Sequence, residues 1–550
     1  MSMEFEKEPD GILRGGESEK RSMSRAAGVV GFYTVLSRIL GLVRDVVVAG
    51  HFGSGLAADA FFVAFRIPNL LRRLFAEGSL TIAFIPVFTE VLTREGKESA
   101  FRVARAVLTL LSLILVCVTI AGILLSPWVV RIQAFGFGGH GLKYDLTVLL
   151  TRITFPYILL VSIVAFFSGI LNSLRHFAAP AASPIFLNVG IIGATLLISP
   201  YCDQPIVAVA VGVLLGGTMQ ILLQLPPIFR IGVSLSPLWM PNHTAVKRIG
   251  LLMLPAVFGS AIFQLNQFIG TLLASFLQEG SVSWLYYADR LVEFPLGVFA
   301  IAISTAALPS LSRQAAGKEM GDFRETLSHA IRLTSFITIP AMVGLLTLGM
   351  PIIRIFFQRG AFDAYSTAMT NTALFYYSLG LWSFSVVRVM VAAFYAIQDT
   401  RTPVLMAAAA MGANVLFSLL LMGPLRHGGL ALALSLSSTM QVLLLMVVLK
   451  RRLGLLEGRP ILVSAGKSAV SALFMGGAIY LLQKVWILPG IGTMQVLVRL
   501  LGVIVVGQAI YFLLAYLLRS RELSAVPAML RSLRRRGSKA QAVTGVESQR

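Results

Sequence analysis

The chain has 550 residues, of which 56% are hydrophobic and only 13% are charged. Soluble proteins carry about 25% charged residues, so this composition excludes a soluble enzyme. The formal net charge of +21 would suggest a nucleic-acid partner in a soluble chain. In a membrane protein, however, lysine and arginine report first on the orientation of the helices.

The predicted elements are transmembrane helices along most of the chain. Residues 1–25 are polar and lack the apolar stretch of a signal peptide, so they are predicted to be a cytoplasmic tail. Windows of about 19 residues then predict fourteen spans. The spans cover residues 26–50, 57–91, 103–127, 146–172, 182–200, 206–228, 248–277, 282–311, 331–353, 369–397, 404–422, 428–449, 466–486 and 495–518.

Positive charge outside the predicted spans falls mainly in segments assigned to the cytoplasm. The outer loops hold only Arg131, Lys143, Arg354, Arg359, Arg426 and Lys484. Because positively charged loops stay on the cytoplasmic side, both termini are predicted to be cytoplasmic. The arginine-rich stretch at 531–536 is expected to contact anionic membrane lipid, with nucleic acid the weaker alternative.

An internal repeat is indicated when the chain is compared with itself at an offset of about 223 residues. The matched pairs are Arg66 with Arg290, Phe75 with Phe299, Pro86 with Pro309 and Pro180 with Pro403. The repeat predicts two six-helix lobes at 26–230 and 248–452, then two helices within 466–518 and a basic cytoplasmic tail at 519–550. Six is an even number, so both lobes begin on the same side, as in the parallel repeats of several transporters.

Charged residues lie inside three predicted spans. A charge at the bilayer centre costs about 2.5 to 3.5 kcal/mol, so these side chains are expected to face a water-filled cavity or one another. The first span contains Arg38, Arg44 and Asp45, the second Asp59, Arg66, Arg72, Arg73 and Glu77, and the eighth Asp289, Arg290 and Glu293. Arg290 and Glu293 have the i,i+3 spacing of a helical ion pair.

Two interpretations of these charges stay open. Asp45, Asp289 and Glu293 are equally well explained as ion pairs that hold helices together. Arginines nevertheless outnumber the acids placed to neutralise them, which favours a net cationic cavity. The choice of arginine over lysine suits bidentate binding of phosphate or carboxylate.

Other chemistry is mostly absent from the sequence. Gly466, Lys467 and Ser468 resemble the end of a phosphate-binding loop, but Ile461 occupies the position of its first glycine. We therefore expect neither ATP hydrolysis nor any other enzyme activity, and no metal or cofactor. The polar residues of the seventh span would serve either a coupling ion of unknown identity or, more commonly, helix–helix hydrogen bonds; they are Gln264, Asn266 and Gln267.

Four segments resemble motifs of one transporter family. They are 37–45 (SRILGLVRD), 58–78 (ADAFFVAFRIPNLLRRLFAEG), 153–157 (ITFPY) and 284–295 (WLYYADRLVEFP). Together they resemble the MurJ (MviN) lipid II flippases of the MOP exporter superfamily, over residues 26–518.

The resemblance implies an all-α protein of the bacterial inner membrane that works by alternating access. Its substrate would be lipid II, the undecaprenyl-pyrophosphate-linked disaccharide pentapeptide, moved from the cytoplasmic to the periplasmic leaflet for peptidoglycan synthesis. Membrane lipids and the cell-wall synthesis machinery are further partners that it suggests. The residues implied to line or gate the cavity are Arg38, Arg44, Asp59, Arg72 and Arg290.

The resemblance also divides the substrate between two surfaces. Arg44, Asp45 and Arg290 would form the headgroup-binding cluster, while the helices at 466–486 and 495–518 would provide an apolar groove for the lipid tail. Two alternatives remain: another MOP exporter, either a polysaccharide-lipid flippase or a drug/cation antiporter, and a membrane scaffold for cell-wall assembly that transports nothing. An antiporter for cationic drugs would be expected to have an acidic cavity.

Overall fold

The computed structural model describes residues 11–72, 80–454, 458–486 and 492–524. Within these ranges the secondary structure is helical and contains no strand. Helices suit an apolar chain of this kind, because a helix satisfies its backbone hydrogen bonds internally where lipid offers none.

The helices are numbered in chain order. The first nine are α1 Gly11–Phe52, α2 Leu56–Leu71, α3 Leu80–Arg94, α4 Lys97–Leu124, α5 Ser126–Gln133, α6 Leu142–Thr154, α7 Tyr157–Ser173, α8 Ala178–Leu197 and α9 Val207–Ile231. The others are α10 Thr244–Ser275, α11 Ser281–Pro295, α12 Ile301–Ala316, α13 Met320–Phe356, α14 Ala364–Leu379, α15 Leu381–Ala396, α16 Arg401–Leu453, α17 Gly458–Trp486 and α18 Thr493–Leu517.

Several breaks between helices follow from proline, which removes a backbone donor and crowds the preceding turn. Pro156 separates α6 from α7, and Pro295 precedes a π-helical turn, Leu296–Ala300, that joins α11 to α12. In α16 the backbone of Arg426 is not helical, with φ 52° and ψ −131°. The predicted spans 404–422 and 428–449 lie on either side of this kink.

Nine helical segments of the described residues are long and apolar enough to cross a membrane, or ten if α14 and α15 form one bent span. The chain is thus an all-helical, multi-pass membrane protein. Helix α16 is counted as one of these segments, and α2 and α3, with 16 and 15 residues, are too short to be among them. The count of fourteen spans and the boundaries of the two lobes stay predictions.

Two cytoplasmic turns of the predicted topology have the same backbone geometry at the offset of the repeat. Arg175 and Gln398 both adopt a left-handed conformation, with φ 63° and 59°. In each turn the next amide donates to the carbonyl five residues earlier, at 2.8 Å in the first turn and 2.9 Å in the second. The two turns therefore end their helices in the same way.

The largest core joins elements of both predicted lobes. Buried side chains of α1 and α2, such as Val48 and Phe61, lie in one cluster with Leu291 of α11. On the other side of α1, α8 packs tightly between α1 and α9, where Gly190 faces Gly216 too closely for any side chain. These contacts place α1, α2, α8 and α11 around one site.

The turn before α16 makes a prediction about stability. The Asp399 carboxylate accepts hydrogen bonds from the amides of Arg401 and Thr402 and from the Thr402 hydroxyl, and it pairs with Arg452 at 2.6 Å. Burial would raise the pKa of Asp399, but the Thr402 hydrogen bonds and the Arg452 charge hold it below its usual value. Asp399→Ala is expected to destabilise the protein by about 0.5 to 2 kcal/mol, as for other helix caps.

The pH dependence follows from the direction of this shift. A carboxyl with a lowered folded-state pKa contributes stability that is fully present above its unfolded pKa of about 3.9, and that is lost as the pH falls through the folded-state value. Thermal unfolding of the purified protein in detergent should show the difference between wild type and Asp399→Ala at neutral pH and a smaller difference near pH 3. A difference that grows on acidification would contradict this account.

Candidate functional site

Arg44 and Asp45 of α1 meet Arg290 of α11 within the membrane-spanning region. The Arg44 guanidinium donates to Asp45 Oδ1 from Nε at 3.0 Å and from Nη2 at 2.7 Å. Arg290 Nε lies 3.5 Å from Asp45 Oδ2. One nearly buried carboxylate is thus shared by two guanidinium groups, and the three residues that the sequence grouped together do lie together.

Two neutral side chains complete the hydrogen bonding around these charges. Asn188 of α8 accepts from Arg44 Nη1 at 3.1 Å. The Tyr286 hydroxyl accepts from both arginines, at 3.3 and 3.2 Å, and donates to Asp45 Oδ1 at 3.2 Å. The Arg290 guanidinium also lies 4.8 Å from the centre of the Tyr286 ring, a cation–π contact.

Glu293 extends this group toward open space. Its Oε2 pairs with Arg290 Nη1 at 2.7 Å, in the i,i+3 geometry that the sequence predicts, and its side chain is 46% exposed. We call Arg44, Asp45, Asn188, Tyr286, Arg290 and Glu293 the polar cluster. It contains two arginines and two carboxylates, so the excess of positive charge is smaller here than the sequence suggests.

Asp59 occupies a separate, fully buried position. Its carboxylate accepts from the Gly280 amide at 2.8 Å and from the Ser283 amide and hydroxyl at 2.9 and 2.6 Å, and it pairs with Lys143 at 2.8 Å. The first amides of a helix have no partner within the helix and attract negative charge. Asp59 of α2 therefore caps the N-terminus of α11, and its position is that of a structural lock between helices.

A second carboxylate, which precedes α11, caps the N-terminus of α2. Glu279, just before α11, accepts the amide of Leu56, the first residue of α2, at 2.7 Å. Each of the two helices is thus capped by an acid that belongs to the other predicted lobe. Nearby, the Ser54 hydroxyl donates to Ser366 Oγ at 2.7 Å. We call the region formed by residues 54–59, Lys143, residues 279–283 and Ser366 the capped end.

Close backbone contact seals the capped end. The Ala361 amide donates to the Gly50 carbonyl at 2.9 Å. Gly53 and Gly360 flank this contact with positive φ angles of 65° and 55°, and a Cβ on either would overlap the facing backbone. Only glycine fits both the conformation and the space at these positions.

Arg38 and Arg66 lie outside the polar cluster. The exposed Arg38 places its guanidinium directly on Gly297, in the π-helical turn after α11. Arg66 donates to Gln267 Oε1 of α10 at 3.1 Å. The repeat predicts that Arg66 and Arg290 share one cavity, and this stays a prediction.

The remaining charged candidates of the second span follow α2 in the sequence. Arg72 donates from Nε to Asn69 Oδ1 at 3.0 Å. Arg73 and Glu77 lie outside the described residues. The role of Arg72 at the cavity therefore stays a prediction.

Asn266 and Gln267 of the seventh span take part in contacts between helices. Asn414 Nδ2 donates to Asn266 Oδ1 at 2.8 Å, and Gln267 accepts from Arg66. Across the ranges that the structure describes, no group of three histidine, cysteine or acidic side chains is placed to hold a metal ion. A coupling ion stays a prediction without a site.

The helices define a multi-pass membrane protein with the fold of the MOP transporters. An inward-facing multidrug-resistance MATE transporter of that superfamily superimposes with a TM-score of 0.67 over 77% of this chain and 96% of its own, a likeness of fold alone at 15% identity. The family model described as lipid II flippase MurJ matches residues 48–500. The chain therefore belongs to the MurJ lipid II flippase family, which confirms the resemblance.

Individual relatives agree with this assignment. A probable lipid II flippase MurJ of Vibrio cholerae is 40% identical over 507 residues, covering 90% of this chain and 95% of the relative. The lipid II flippase MurJ of Burkholderia cenocepacia is 36% identical over 78% of this chain and 84% of its own. A solved MurJ structure in an inward closed conformation has a TM-score of 0.75 at 28% identity, covering 89% of this chain and 98% of that one.

Proposed function

We propose that this protein is a lipid II flippase of the bacterial inner membrane, a transporter rather than an enzyme. Family membership gives the substrate, and the polar cluster is the observation that carries the proposal. Placing two arginines within apolar helices costs free energy, so we infer that these residues serve a function. That function is binding of the substrate pyrophosphate.

The cluster is suited to an anion that arrives and leaves. Arg44 and Arg290 offer planar guanidinium groups, which bind phosphate oxygens through paired hydrogen bonds. In this structure Asp45 and Glu293 satisfy the same donors, so the arginines are not left unpaired. The incoming pyrophosphate competes with these two carboxylates for the guanidinium groups, which the carboxylates keep in position.

The capped end is the periplasmic gate in this proposal. Three basic residues of the predicted outer loops lie at or beside it: Lys143 on Asp59, Arg359 against Gly50, and Arg426, which donates to Gln278 at 3.2 Å. In the predicted topology, whose termini are cytoplasmic under the positive-inside rule, these loops face the periplasm. Alternating access then requires the caps on α2 and α11 to break when the substrate is released.

The lipid tail has a separate surface in this proposal. Helix α17 packs on α13 and α18, and exposes a row of large apolar side chains. Leu462, Leu473, Phe474 and Leu481 are each exposed by 65% or more. A polyprenyl chain gains nothing from a charged cavity, so it would follow this face while the headgroup crosses the interior.

Functional replacement tests the proposal directly. The full chain is expected to support growth of a bacterial strain depleted of its own lipid II flippase, and to restore lipid II to the outer leaflet, where an external enzyme or label can reach it. Equal membrane insertion without any return of external lipid II would reject the flippase and leave the scaffold. Export of cationic drugs without lipid II movement would favour the antiporter.

A further inference from the structure

Arg388 is a charged residue that neither the motifs nor the polar cluster includes. It lies in α15, where only Arg388 and Tyr395 are exposed among otherwise covered or partly covered residues. Seven residues separate the two, so they share one face of the helix. Arg388 lies about two turns from the end of α15, deep in a layer about 30 Å thick, where a lipid-facing charge is unfavourable. This face therefore borders a water-filled space.

Glu293 is the acidic neighbour of Arg388. Its charge acts on the Arg388 guanidinium, and the π-helical turn that follows it, Leu296–Ala300, packs against α15. Glu293 is already paired with Arg290 at 2.7 Å. Among the described residues Arg388 has neither a hydrogen bond nor an ion pair within 4.0 Å. Glu293 is thus paired with Arg290, and its charge also acts on Arg388.

This arrangement bears on how the site accepts an anion. A pyrophosphate that binds Arg290 arrives beside the carboxylate of Glu293, and the two like charges repel each other. The repulsion falls if Glu293 has another cation to pair with. Arg388 is exposed, and among the described residues no hydrogen bond or ion pair engages its guanidinium.

We propose that Glu293 is a movable counter-ion that pairs with Arg290 in the empty protein and with Arg388 when the headgroup is bound. Arg388 is then a positioning residue, which acts on the substrate through Glu293 and does not contact the pyrophosphate. This inference rests on the proposed lipid II site. It also predicts that a single positive charge suffices at 388, whereas Arg290 needs its planar donor group.

A double-mutant cycle tests this role. Binding of purified lipid II to the full-length protein is measured for Arg388→Gln, Glu293→Gln and the double variant. Arg388→Gln should weaken binding about tenfold when Glu293 is present and less than about threefold when residue 293 is glutamine, because the neutral side chain needs no partner. Arg388→Lys should retain most of the affinity. Arg313→Gln, an exposed arginine near the end of α12, is the matched control and should bind normally.

The outcomes separate the possibilities. A tenfold loss from Arg388→Gln in both backgrounds would overturn the inference and indicate direct contact with the substrate. No loss from Arg388→Gln in either background would also overturn it. If the unchanged protein binds no lipid II, the proposed function fails before the cycle is read. Thermal unfolding of each variant in detergent identifies any that has lost its fold.

Discussion

Replacing Arg44 or Arg290 with alanine is expected to abolish lipid II transport while the protein still inserts in the membrane. Each guanidinium supplies charge-assisted hydrogen bonds worth about 1.5 to 3 kcal/mol each, so the loss corresponds to roughly 10- to 150-fold in affinity. Alanine also leaves Asp45 with one arginine instead of two. Lysine should rescue only in part, because it cannot provide the paired donors.

The measurement is growth of the depleted strain together with the amount of lipid II accessible from outside. Arg94→Ala is the matched control: it removes a 76% exposed guanidinium from an i,i+4 pair with Glu90, and it should behave as wild type. Full transport by both Arg44→Ala and Arg290→Ala at normal expression would refute the assignment of the polar cluster to the headgroup.

Replacing Asp59 with alanine is expected to open the capped end and stop transport. The substitution leaves the Lys143 ammonium and the first amides of α11 without their acceptor, and removing one partner of a buried ion pair costs about 3 to 5 kcal/mol. This cost raises the free energy of the conformation in which the capped end is closed, so the population of that conformation falls. Adding Lys143→Met should restore part of the closure, because no unpaired charge then remains.

Cysteine labelling reports on this shift. Ser281 at the start of α11 is fully buried and its hydroxyl has no partner, so Ser281→Cys, in a background without Cys117 and Cys202, places a thiol inside the closed end at little cost. A membrane-impermeant reagent added from the periplasmic side should label it with Asp59→Ala and hardly at all with Asp59 present. The exposed Asp203→Ala is the control. Equal labelling of Ser281→Cys alone, with Asp59→Ala and with Asp203→Ala would show that Asp59 does not keep the capped end closed.

The sequence predicts the charged residues of the site better than their partners. Arg44, Asp45 and Arg290 are conspicuous because a charge in an apolar span must be satisfied somewhere. What satisfies it depends on tertiary structure: Asn188 is 144 residues from Arg44, and Tyr286 is 241 residues from Asp45. Nothing in the sequence of α8 or α11 marks Asn188 or Tyr286 as a partner of these charges, because the contacts form only when the helices pack together.

Asp59 illustrates the limit most clearly. In the sequence it is one more acid within a span, and the family resemblance places it at the cavity. The structure places it at the start of another helix, where its four donors come from Lys143, Gly280 and Ser283. Helical periodicity predicts which face of its own helix a residue lies on. It does not predict that the residue will meet the end of a helix more than 200 residues away, because only the folded structure brings the two together.

The balance of charge around Glu293 sets the electrical character of the transport cycle. Arg44, Arg290 and Arg388 against Asp45 and Glu293 leave the empty site with one net positive charge, and a pyrophosphate diester with about two negative charges reverses it to one negative. The membrane potential contributes about 2.3 kcal/mol per charge per 100 mV. If these charges move across the membrane field as access alternates, the proposed function predicts that a cell that is negative inside drives the loaded site outward and the unloaded site back. On that proposal, neutralising Arg388 is expected to remove the electrical driving force from the return step.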